Sequence, residues 1–220
     1  MQVDLFDERL NAILAAPTYE MFASRLGAYD CRRCALCAGR SRIVVDRGNP
    51  AAAILIVSER PGVHEDQQGQ AFVGRSGELL DKILAAIGID ANRDTLITNI
   101  VKCKGEEDRA PSSQEATACL PFLDRQIALV RPRVVLLLGS VALQWMDPGR
   151  RNFTMEEEAG RLFTLQRYPG VQFMVLYHPA FLLRDPRRKR DMWEHVQRLK
   201  AHLDAPAGTE HRAVPGELTP

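Results

Sequence analysis

The sequence predicts an α/β fold: a three-layer α/β/α sandwich around a central, mainly parallel sheet of about four strands. Three observations carry this expectation. Apolar runs of strand length recur along the chain, "AAAILIVSE" (51–59), "TLITNIVKC" (95–103) and "RVVLLLGS" (133–140), and their near-continuous apolar character suits strands buried on both faces. Segments with helical spacing alternate with them, as parallel sheets require. Turn chemistry then punctuates the alternation.

Each element follows in order. Residues 1–28 read as one amphipathic helix or two, with Leu5, Leu10, Ile13 and Leu14 spaced for a single face. After the first strand, "GELLDKILAAIG" (77–88) has helical spacing and ends on a glycine suited to a C-cap. After the second, Ser112 followed three residues later by Glu115 forms a capping box for a helix reaching about Val130. A short helix follows the third strand. "RLFTLQR" and "VQFMVLYH" form a strand pair around "YPG", and "RRKRDMWEHVQRLKAHL" makes the last helix. A chain of 220 residues can bury one sizeable core, so a single domain is expected over 1–204. The Pro- and Gly-rich remainder, 205–220, lacks periodicity and reads as a disordered tail.

Composition excludes several classes. The N-terminus carries acidic residues where a secretory signal needs positive charge, and no apolar run approaches the roughly 18 residues that span a bilayer. The expectation is a cytoplasmic protein with no membrane partner. A formal net charge of +1 does not announce a nucleic-acid protein, yet "RDPRRKRD" (184–191) gathers basic side chains that a polyanion would meet. The same run also suits a solvated helix start. Three of the five cysteines crowd into "CRRCALC" (31–37). In a reducing compartment such spacing points to a metal or redox site rather than a disulfide, so an odd total is no obstacle.

In open parallel sheets ligands bind beyond the carboxyl ends of the strands, which directs attention to residues 59–72, 99–111 and 178–183. Taken singly, each candidate there has a structural reading. Glu59 in "SERPG" can be a surface carboxylate in a turn, Asn99 part of a buried polar network, His178 a cap, and Phe72 core. Taken together they converge on one rim. Phe72 can stack a planar base, the Asn99 amide can read its edge, and His178 can donate to a carbonyl that gains charge in a reaction.

These segments resemble family 4 uracil-DNA glycosylases, the iron-sulfur type. That family reads Gly-Glu-Ala-Pro-Gly, Glu-Asp, Gly-x-Pro-Phe-Val-Gly-x-x-Gly-x-Leu-Leu, Asn-x-x-Lys-Cys-Arg-Pro-Pro-x-Asn-Arg-x-Pro and His-Pro-Ser/Ala-x-Leu-Leu. Here the corresponding stretches are "SERPG", "ED" (Glu65, Asp66), "GQAFVGRSGELL", "NIVKCKGEEDRAP" and "HPAFLL", in the same order over about residues 31 to 203. The resemblance implies a glycosylase that acts as a monomer on uracil in single- or double-stranded DNA. It assigns Glu59, Asn99 and His178 to catalysis, and Phe72, Asn99, Glu65 and Leu182 to substrate binding, with Glu65 either assisting or holding the turn and Leu182 or Leu183 filling the gap left by an extruded base; Arg60 joins the substrate-binding candidates on its own chemistry. It also implies a 4Fe-4S cluster on Cys31, Cys34, Cys103 and Cys119, with Cys37 spare. On ligand type alone, four thiolates suit zinc as well as iron-sulfur.

The chain departs from the family at Ser58, where glycine is usual, and at Arg60, where a small residue is usual. Arg60 can pair with Glu59 or reach a DNA phosphate. Lys104, Gly105, Glu106 and Asp108 make the loop after Cys103 looser and more acidic. Two rival readings follow: a cluster-bearing nucleic-acid or polymerase-associated module without activity, and a glycosylase for other deaminated bases.

Overall fold

The computed structural model describes residues 8–105 and 109–205. Its strands are β1 (Arg47–Gly48), β2 (Ile54–Ser58), β3 (Thr95–Asn99), β4 (Val134–Leu138), β5 (Leu162–Thr164) and β6 (Gln172–Leu176). They form one sheet in the order β1-β3-β2-β4-β6-β5. The four central strands are parallel, and β1 and β5 pair antiparallel at the two edges. The expected count of about four strands is therefore corrected to six. The strand pair around "YPG" is present, with Phe163 opposite Phe173, whereas β1 has only two residues, too few to show any periodicity. The run expected to continue to Cys103 stops at Asn99, because Ile100 and Val101 turn to donate to the carbonyls of Ser58 and Glu59.

The helices are α1 (Glu8–Leu14), α2 (Tyr19–Gly27), α3 (Val63–Gln68), α4 (Arg75–Ala85), α5 (Ser113–Val130), α6 (Gly139–Met146), α7 (Met155–Glu158), α8 (Pro179–Arg184) and α9 (Lys189–Asp204). Strand side chains alternate between two cores. Leu55, Val57, Val135, Leu137 and Phe173 meet α1, α2, α5 and α6, while Ile54, Ile56, Leu136, Met174 and Leu176 meet α4, α8 and α9. Sealing both faces is why the strands read as unbroken apolar runs, and each buried Leu, Ile or Val contributes about 1.5–3 kcal/mol. The N-terminal stretch forms two helices with Leu10 and Ile13 buried; Leu5 lies outside the described residues, as do 206–220. The capping box of α5 is formed: Ser112 Oγ accepts from the Glu115 amide, and the Glu115 carboxylate accepts from the Ser112 amide. Among the described residues no helix is long and apolar enough to cross a membrane.

Strand order reverses at β2, which has β3 on one side and β4 on the other. Such a switch point opens a crevice beyond the carboxyl ends of the strands. Glu59 follows β2, Asn99 ends β3, Gly139 follows β4 and His178 follows β6 by two residues.

Candidate active site

A cleft of about 1280 Å³ occupies this crevice, and Glu59, Phe72, Asn99 and His178 all line it. Its volume exceeds the roughly 300–1,000 Å³ of ordinary small-ligand pockets, so it extends as a groove. Arg60, Arg75, Lys104, Arg109 and Arg184 line it too.

Asn99 is 1% exposed, and neither its amide nitrogen nor its carbonyl oxygen has a hydrogen-bond partner among the described residues. An unpaired buried amide is costly, by about 1–3 kcal/mol for each polar group. A side chain left in that state at the floor of a cleft is set up to meet a polar ligand.

Phe72 stands 5.9 Å from the His178 ring, centroid to centroid, with the planes tilted by 42°. Its backbone adopts φ +54°, a left-handed conformation uncommon for a bulky residue. Three supports hold it. Arg47, itself ion-paired with Asp81, donates to the Phe72 carbonyl at 2.7 Å. Glu65 accepts from the Val73 and Gly74 amides, both at 2.9 Å. Helix α4 approaches so closely that a Cβ on Gly77 would lie 1.8 Å from the Phe72 carbonyl oxygen.

His178 accepts at Nδ1 from the Ala180 amide (3.0 Å), which puts the neutral ring's proton on Nε2, 2.9 Å from Ser58 Oγ. Nε2–H therefore donates to the serine. Burial, helped by the Arg184 cation, lowers the imidazole pKa to about 4. Burial raises the Glu59 carboxyl above the usual glutamate range, against the opposing pull of Arg60, whose Nε lies 4.0 Å from Glu59 Oε1. The site thus presents a neutral donor and a partly buried carboxylate.

Two expectations change. Leu182 cannot enter a DNA gap: it is fully buried, packed with α4 and α9 in the second core. Its neighbour Leu183 is 38% exposed. Helix α8, whose register the short motif did not reveal, turns one leucine inward and the other out. Glu65 lines the cleft, but its two oxygens are taken by the Gly62, Val73 and Gly74 amides, so it braces the loops that carry Glu59 and Phe72. The acidic residues 106–108 lie outside the described residues. Arg47 and Gly77 were missed by sequence reasoning, and Ser58 was noticed only as a departure from the family, since their roles lie in contacts that no local pattern encodes.

On the other side of the turn after Asn99, Cys31, Cys34, Cys103 and Cys119 line a common pocket, and Cys37 is not among its lining residues. Burial pushes the Cys103 thiol up to about 12 and Cys119 to about 11, and the neighbouring thiols add repulsion. Such thiols ionise only against a strong positive charge, as metal binding provides. Among the described residues no three His, Cys, Asp or Glu side chains are set to hold a single metal ion. The donor chemistry, four sulfurs with neither imidazole nor carboxylate lining the pocket, fits an iron-sulfur cluster.

Comparison with known proteins gives the family. The uracil DNA glycosylase superfamily model matches residues 45–200. A type-4 uracil-DNA glycosylase of Pyrobaculum aerophilum is 36% identical over 161 residues, covering 71% of this chain and 81% of that protein. One from Thermotoga maritima is 33% identical over 175 residues, covering 79% and 89%. A DNA polymerase of Bacillus phage SP01 is 27% identical over 141 residues, 64% of this chain but 15% of that protein.

Proposed function

The chain belongs to the uracil DNA glycosylase superfamily, and from that premise we propose that it hydrolyses the N-glycosidic bond of deoxyuridine in DNA, releasing uracil and leaving an abasic site. The observation that carries this reading is the unpartnered Asn99 amide in a cleft shared with Phe72, His178 and Glu59.

The C1′ bond is inaccessible inside a duplex, so the nucleotide leaves the stack, and Leu183 fills the gap. Phe72 stacks on the extruded base. The Asn99 carbonyl accepts from uracil N3–H and its NH₂ donates to O4, satisfying both orphaned atoms; cytosine offers the reverse pattern at those positions. A wrong base leaves them unpaired, which makes discrimination large. As the glycosidic bond breaks, the electron pair moves onto the base and charge builds on O2. His178 then turns its Nε2–H from Ser58 to O2, and Glu59 stabilises the cationic sugar or orients the attacking water. Cations along the groove meet the phosphates.

Cys31, Cys34, Cys103 and Cys119 would hold a 4Fe-4S cluster. When bound it would supply a cross-link between Cys103, in the turn after Asn99, and Cys119 of α5, with no part in the hydrolysis. We further read residues 1–204 as one catalytic unit acting as a monomer in the cytoplasm, on single- or double-stranded DNA.

Release of free uracil from a uracil-containing oligonucleotide tests the activity, and Asn99→Asp tests its basis. A carboxylate can accept from the cytosine amine but cannot donate to uracil O4. Uracil release is expected to fall by about 10- to 100-fold, the worth of one good base contact being about 1–3 kcal/mol, with DNA affinity less affected. Wild-type rates in the variant would remove Asn99 from base reading. Absence of any base release by the wild type would favour the binding module, and release of hypoxanthine or xanthine in preference to uracil would favour the broader glycosylase.

The same reading carries an expected pH dependence. Glu59 must be ionised, so the rate rises with pH through a midpoint above the usual glutamate range, and the limb disappears in Glu59→Gln. His178 works as a neutral donor with its pKa near 4, so no second limb is expected near 6.5. A decline in rate as pH rises through 6.5 would mean that imidazolium is the active form.

A further inference from the structure

Behind Asn99 lies a buried ammonium that the mechanism above does not use. Lys102 is 1% exposed. Its Nζ donates to Thr98 Oγ1 at 2.7 Å, to the Asn99 main-chain carbonyl at 2.7 Å and to Gln126 Oε1 at 2.6 Å. Three donors meet three acceptors, and none of those acceptors is a carboxylate. The network continues outward: Gln126 donates to the Tyr19 hydroxyl (2.8 Å), which donates to Asp46 (2.7 Å), while Thr98 Oγ1 donates to the Val45 carbonyl (2.7 Å). Burying a charge among neutral acceptors is expensive, and an apolar side chain of similar volume often serves stability as well or better. Stability alone does not account for a lysine here.

Aiming Asn99 does. Among the described residues its side chain has no hydrogen-bond partner to orient it, so its direction is set by its backbone and by the atoms packed around it. We infer that Lys102 is a positioning residue for base recognition: its ammonium ties down the main chain at Thr98 and Asn99, so that the free amide presents one orientation to the entering base. The same turn is stitched to Ser58, at the end of β2, and to Glu59 by the Ile100 and Val101 amides. On its own residue, the Lys102 amide donates to Cys119 Sγ at 3.4 Å. One five-residue turn thus carries the base reader, its lock and a thiol of the sulfur pocket.

The inference rests on the glycosylase reading for its ligand, and its test includes a readout that does not. Lys102→Met keeps the length of the side chain and removes the ammonium. Single-turnover uracil release per folded molecule is expected to fall about 10- to 100-fold, the scale of a misplacement near 1 Å, with affinity for the uracil oligonucleotide little changed and iron content retained. Thr98→Val, which removes one acceptor at nearly constant volume, should give a smaller loss in the same direction. In a crystal structure of either variant, Asn99 should be displaced or occupy more than one orientation. Full rate per folded molecule in Lys102→Met, or in Thr98→Val should the first variant not fold, overturns the inference, and so does an activity loss that merely tracks melting temperature or iron. If the wild type releases no uracil, the activity fails independently, and an Asn99 orientation unchanged in the variants then decides against the lock.

Discussion

His178→Ala is expected to lower the single-turnover rate of uracil release by about 100- to 1,000-fold, the usual cost of one donor aimed at developing charge. Affinity for uracil-containing DNA changes little, because the Nε2–H bond to O2 strengthens only as the glycosidic bond breaks. In the free protein that hydrogen is already engaged by Ser58 at 2.9 Å, so the ground state gains little from transferring it. A structural histidine would behave otherwise: the melting temperature would drop, and activity would follow folded protein only. Uracil release measured beside a melting curve separates the two, and a normal rate per folded molecule would leave His178 with a structural role through its bonds to Ala180 and Ser58.

The second large effect concerns sulfur. Cys119→Ala removes one of four thiols that line a single pocket, and it also removes the acceptor of the Lys102 amide. The purified wild type should carry iron and sulfide near four each per chain. The variant should lose nearly all of the iron, unfold at lower temperature and release no measurable uracil, because binding energy for such a group is folding energy and the turn bearing Asn99 is no longer clipped to α5. Cys37→Ala should retain iron and activity. Stoichiometric zinc without iron in anaerobically prepared wild type would overturn the cluster, and loss of iron on replacing Cys37 but not Cys31 would shift the ligand register.

What the sequence disclosed, and what it withheld, follows from range. The central strands were legible because burial on both faces writes itself into consecutive residues, as in Ile54–Ser58 and Val134–Leu138. The α5 start was legible because a capping box is local. Glu59, Phe72, Asn99 and His178 could be placed on one rim because strand ends of a parallel sheet share an edge. Leu182 was misplaced because a short motif does not fix the rotation of α8, where one step in the chain separates a core residue from an exposed one. Glu65 and Ser58 were underdetermined for a related reason. A carboxylate that binds three amides and a hydroxyl that holds an imidazole look, in sequence, like any other turn residues.

The left-handed backbone at Phe72, fixed by Arg47, Glu65 and the close approach of Gly77, has a thermodynamic consequence for DNA. Ordering a side chain at the moment of association costs about 0.5–1.5 kcal/mol. Here that loss of freedom is incurred during folding, so a base entering the cleft meets a ring already in place. On the proposed function, association with a flipped base would therefore cost less ordering of the receptor.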